Sequence, residues 1–63
     1  MKLVILIPAY NEAESIAQVI RSMPDQIEGI TQIQVLVVDD GSKDDTAVLA
    51  REAGAMVVSH PYN

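Results

Sequence analysis

The 63 residues allow at most one small domain, and a domain of that size hides only about 60% of its unfolded surface, so its stability is narrow. There is no cysteine to supply a disulfide or thiolate metal site, and Tyr10 and Tyr62 are the only aromatic residues, so the core has to be aliphatic. Nine acids against four bases, a net charge of -5, argue against nucleic acid or an acidic membrane face as partner, although a divalent cation can seat a phosphorylated ligand in an acidic site.

Met1-Lys2 ahead of LVILIPA faintly resembles the start of a signal peptide, but Asn11, Glu12 and Glu14 follow at once. No apolar run approaches the roughly 20 residues of a membrane span, and the expected compartment is the cytoplasm. Leu3 to Ile7 is an unbroken run rich in branched side chains, which predicts a strand buried on both faces, and Pro8 is expected to end its hydrogen-bond ladder. Ala13, Ile16, Ala17, Ile20 and Met23 then recur at helical spacing. Asn11 is the expected N-cap, Glu14 stands where a capping box places its acid, and Pro24 marks the end. Asp25 to Gln32, with Gly29, reads as a loop.

Ile33 to Val38 is the second predicted strand, again apolar without interruption from Val35 to Val38. A second helix is expected from Lys43 to Ala53, with Ser42 as N-cap, Asp44 and Asp45 in its first turn and Gly54 capping its C-terminus. Its face of Ala47, Ala50 and Ala53 suits close approach to a sheet. Ala55 to Ser59 is a third strand, followed by a loop from His60 to Asn63. Strand, helix, strand, helix, strand with right-handed crossovers predicts a parallel α/β sheet in the order 3-2-1, whose ligands bind at the carboxyl ends of the strands. Those ends carry Pro8 to Glu12 and Asp39 to Ser42, so two polar clusters are expected on one rim.

The common phosphate cradles are missing: neither G-x-G-x-x-G nor G-x-x-x-x-G-K-[ST] occurs, and nothing fixes the single histidine, His60, near Ser42 to suggest a hydrolytic triad. What remains is acceptors on rigid strand ends, which can take a base N–H, ribose hydroxyls or a cation, and a tyrosine able to stack on a flat ligand.

LVILIPAYNEAESI followed after a helix by VLVVDDGSKDDT resembles the opening of the family 2 glycosyltransferases of GT-A fold, especially the dolichyl- and polyprenyl-phosphate sugar transferases. The matching residues are Pro8, Tyr10, Asn11 and Glu12, then Asp39, Asp40, Gly41, Ser42, Asp45 and Thr46. The resemblance covers essentially the whole chain as one nucleotide-sugar-binding domain, residues 1–63, the Rossmann-like βαβαβ half of a GT-A fold. It implies a UDP- or GDP-sugar site in which Pro8 and Tyr10 line the base pocket, Glu12 reaches ribose hydroxyls, Val38 touches the base, Asp40 accepts a ring N–H and Asp39 braces the turn from beneath.

Complete members of that family continue to a glycine-rich segment and an Asp-x-Asp that binds Mg2+ or Mn2+, then to an acceptor site and catalytic base. Asn63 falls before that segment and no Asp-x-Asp occurs, so the resemblance implies nucleotide recognition without metal ligands or catalysis in this chain. The parent enzyme would work at the cytoplasmic membrane face. Two other readings compete: a ligand-free α/β assembly module, and a receiver-like signalling domain whose acidic pair binds Mg2+. The second is disfavoured because the pair closes the second strand here and the third ends in Ser59-His60 without an acid. With strand 1 left as a flat apolar edge, a homo-oligomer pairing through it is expected.

Overall fold

The computed structural model describes Met1 to His60; the loop expected over 61–63 lies outside the described residues. Three strands alternate with two helices: β1 (Lys2–Ala9), α1 (Ile16–Arg21), β2 (Gln32–Asp40), α2 (Thr46–Glu52) and β3 (Met56–His60). The strands form one parallel sheet ordered β1-β2-β3, the expected 3-2-1 order counted from the other edge. Its register runs from Lys2 opposite Gln32 to Ala9 opposite Asp39, and from Leu36 opposite Met56 to Asp40 opposite His60.

β1 runs through Pro8, which the sequence places at the end of the ladder, and pairs it with Val38. A proline is tolerated there because β1 is an edge strand, where a missing N–H can face away from the neighbour.

The topology dictates where the core lies. Two right-handed crossovers that step the same way across a sheet put both helices on the same face. Accordingly α1 and α2 pack side by side, and the core joins Ile16 and Ile20 of α1 and Ala50 of α2 to Ala9 and Val37 of the sheet, with Ala55 beside them. Ile7, Val35 and Val57, on the same face of their strands, pack against this cluster.

The opposite face has no such layer, which corrects the expectation of strands covered on both sides. Val4 is 48% exposed, Leu6 61%, Met56 56% and Val58 48%, and register makes them near neighbours on that face. An unbroken apolar run predicts two covered faces; the single helical layer covers one.

Both helices begin later than their caps suggested, at Ile16 and Thr46 rather than beside Asn11 and Ser42. The end of α2 follows the sequence closely. Gly54, at φ +102°, donates to the Arg51 carbonyl (3.0 Å), and Ala55 donates to that of Ala50 (3.1 Å), the paired bonds of a Schellman cap.

Truncation should read out this asymmetry. Ile16→Ala should lower unfolding stability by about 2–5 kcal/mol in urea titration, whereas Leu6→Ala should cost less than about 1 kcal/mol. A comparable loss for Leu6→Ala would mean that the open face is covered in solution.

Candidate functional site

All three strands deliver their carboxyl ends, Ala9, Asp40 and His60, to one rim. Side chains alternate along β2, so adjacent aspartates face opposite ways. Asp39 points into the helical side and is 5% exposed; its carboxylate accepts the Ser42 amide (3.1 Å) and the Ser59 hydroxyl (3.4 Å). Asp40 points to the open face, with His60 opposite it in register and 3.8 Å away. A pair this exposed is worth about 0–1 kcal/mol, so it leaves the Asp40 carboxylate available to a ligand.

The two strand-end loops are tied to each other. The Asn11 amide donates to the Ser42 hydroxyl (2.8 Å), and the Lys43 amide donates to Asn11 Oδ1 (2.8 Å). One residue on, the Glu12 amide donates to Thr46 Oγ1 (2.8 Å), and the Ala13 amide reaches Asp44 Oδ2 (3.3 Å). Asp44 Oδ1 also accepts the Thr46 amide (3.0 Å) and the Thr46 hydroxyl.

These bonds explain the late helix starts. Asn11 and Ser42 are not N-caps, because their polar atoms serve the neighbouring loop; Asn11 takes φ +50°, a left-handed conformation that asparagine tolerates. Glu12 and Asp44 lie ahead of their helices rather than in a first turn, and Asp45 occupies the N-cap position of α2 without a side-chain cap bond. Glu14 makes no capping box, and Glu12 instead accepts the Ser15 hydroxyl (3.3 Å).

Pro8, Ala9, Tyr10, Glu12 and Asp40 line a cleft of about 230 Å³ at this rim. Four of the residues singled out from sequence, drawn from two separate segments, thus meet in one place. Val38 lies beside Pro8 in register but outside the lining, and Asp39 lies beneath. The sequence reading missed Ala9, a small residue with no chemical signal of its own. It also put His60 in a loop, although the register of a third strand could have set it beside Asp40.

The cleft falls below the roughly 300–1,000 Å³ of a site for a whole small-molecule ligand, so it has room for only part of one. Larger depressions, about 410 and 340 Å³, lie toward the amino ends of the strands, one around Asp25 to Ile33 and one between Met23, Gln34 and Gly54. Size does not make either of them the site, because ligands of open parallel sheets bind at the carboxyl ends.

Among the described residues no group of three His, Cys, Asp or Glu side chains is placed to hold a metal ion. Asp39 is committed to the turn and Asp44 to the loop junction, so the donor set does not fit a divalent cation, and no step of chemistry here runs through one.

A parallel βαβαβ unit with its acceptors at the carboxyl rim defines a ligand-binding half of the Rossmann-like class. Residues 4–63 match the family model described as Glycosyl transferase family 2, and the chain belongs to that family. It is 56% identical over 54 residues to glycosyltransferase AglJ of Haloferax volcanii, covering 86% of this chain and 16% of that one. Glucosyl-3-phosphoglycerate synthase of Mycolicibacterium paratuberculosis is 40% identical over 55 residues, covering 87% of this chain and 16% of the relative. The crystal structure of the Mycobacterium tuberculosis glucosyl-3-phosphoglycerate synthase with Mn2+, UDP-glucose and glycerol 3-phosphate superposes with a TM-score of 0.75 at 37% identity. That match covers 92% of this chain and 21% of the synthase. The fold is therefore a Rossmann-like portion of a GT-A sheet, and the chain spans about a fifth or less of the relatives it matches.

The loop junction should loosen in acid. Asp44 is held below its ordinary value of 3.8, first by the hydrogen bond from the Thr46 hydroxyl and further by the Thr46 and Ala13 amides, against the opposing effect of desolvation. A folded-state pKa below the unfolded one stabilises the fold fully above pH 3.8, and this is lost as pH falls through the lowered value. The protection factors of the Ala13 and Thr46 amides should therefore fall below about pH 4, ahead of that of the core amide of Val37, and Asp44→Asn should remove that step.

Proposed function

We propose that this chain recognises the nucleotide of a sugar donor for a family 2 glycosyltransferase. The supporting observation is the convergence of Pro8, Tyr10, Glu12 and Asp40 in one cleft at the carboxyl rim. Pro8 and the exposed ring of Tyr10 take the flat face of the base, and Asp40 accepts a ring N–H. Glu12 takes ribose hydroxyls. Asp39 keeps the turn in place from below through Ser42 and Ser59, and Val38 adds apolar surface next to Pro8.

The donor is a UDP- or GDP-sugar. UDP-glucose in a solved relative supports the uridine form, and uracil presents the ring N–H that Asp40 would accept. Transfer to an acceptor such as a polyprenyl phosphate, at the cytoplasmic face of a membrane, is proposed for the whole protein and not for these residues. The same holds for the Mg2+ or Mn2+ of the reaction, for which relatives with Mn2+ give support. Within the described residues no helix is long and apolar enough to cross a membrane.

β1 is an edge strand with Val4 and Leu6 exposed beside it, and this favours self-association through that edge over a free monomer.

UDP or GDP should perturb the amides of Tyr10, Glu12 and Asp40 at millimolar concentration or below. Asp40→Ala should weaken binding about 10- to 100-fold, as expected for a lost hydrogen bond to a charged group, without changing the sheet's thermal transition. A folded chain with no nucleotide response would favour a plain assembly module. Sedimentation at rising concentration should show a dimer or larger species, and a monodisperse monomer would remove the self-association proposal.

A further inference from the structure

The cleft has two walls that belong to different parts of the chain. Pro8, Ala9, Tyr10 and Glu12 follow from β1, whereas Asp40 ends β2. β-Ladder bonds fix the strands only as far as Ala9 opposite Asp39. Beyond that point the separation of Tyr10 and Glu12 from Asp40 depends on whatever joins the two loops.

Asn11 sits between Tyr10 and Glu12 and makes the reciprocal part of that joint. Its amide donates to Ser42 and its Oδ1 accepts from Lys43, each at 2.8 Å. Two demands meet at this residue. The backbone is left-handed, at φ +50°, which glycine, asparagine and aspartate accept more readily than other residues. The Lys43 amide needs a short side-chain acceptor, which glycine lacks. Only asparagine and aspartate meet both, and asparagine does so without placing another negative charge beside Glu12, Asp40 and Asp44, where an anionic diphosphate has to approach.

We propose that Asn11 is a positioning residue for the nucleotide cleft. It does not line the cleft; it sets the spacing of the Tyr10–Glu12 wall from the Asp40 wall through Ser42 and Lys43. The inference rests on the donor-binding reading and deepens it, because it names the element outside the cleft on which affinity depends.

Asn11→Gly is the selective test, since it keeps the backbone conformation and deletes only the acceptor. UDP and GDP are titrated into the wild-type chain, Asn11→Gly, Asn11→Asp and Ser42→Ala, with amide chemical shifts as the readout and protection of the Val37 amide as the measure of intact folding. Asn11→Gly should shift the Tyr10 and Glu12 amides in the free protein and raise the nucleotide Kd about three- to tenfold, the equivalent of one hydrogen bond. Asn11→Asp should restore the wild-type shifts and part of the affinity. A purely structural asparagine would lower the unfolding midpoint but leave the affinity of the folded protein unchanged. Ser42→Ala cuts the same pair from its other side, so its weaker binding carries the test if Asn11→Gly does not fold. If the wild-type chain binds nucleotide and the folded variants bind it equally well, the positioning role is overturned and the donor reading stands. If the wild-type chain binds neither nucleotide, the donor reading falls and the positioning role falls with it.

Discussion

The amides of Asn11, Glu12 and Ala13 have to be satisfied where β1 leaves the sheet, and all three find side-chain oxygens on the loop after β2 or on the first residue of α2. In a short helix these donors would ordinarily be met by a local cap. Here the partners are more than thirty residues away in sequence, at Ser42, Thr46 and Asp44. The bonds that would have started two helices a turn earlier instead fasten the two sides of the rim to each other. Thr46 is central to this: it is fully buried, and it accepts from Glu12 while donating to Asp44.

A second constraint comes from topology. Since both crossovers step in one direction, the helices share a face, and the sheet has a packed side and an open side. The different surroundings of the two aspartates follow from it. Asp39 faces the packed side, where a carboxylate must be hydrogen-bonded, and it is; Asp40, one residue on, faces the open side beside Pro8 and the cleft. Two identical residues thus acquire different partners from the pleat of one strand.

Much of the site was legible before the structure because strand ends are easy to read. An apolar run that stops at Asp39-Asp40, and another that stops at Pro8-Ala9-Tyr10, place polar residues on one rim once the connections are taken as right-handed. The family resemblance then singled out Pro8, Tyr10, Glu12, Val38, Asp39 and Asp40, of which Val38 and Asp39 lie outside the cleft lining. Asn11 was legible as an expected cap and as part of the family motif, but its partners, Ser42 and Lys43, can be identified only when the two loops are seen side by side. Ala9 carried no signal, and His60 became a neighbour of Asp40 only through the register of β3.

The sequence by itself determined the order of elements, the parallel sheet, the aliphatic core and the Gly54 stop of α2, because periodicity, strand ends and capping glycines act over a few residues. Only the tertiary structure decided where the helices begin, which sheet face is covered and which distant groups pair with Asp39 and Asn11. Each of these depends on which distant group satisfies a polar atom or covers a side chain. A local pattern states that an amide must be paired; it does not say that Ser42, and not the next turn of helix, will pair it.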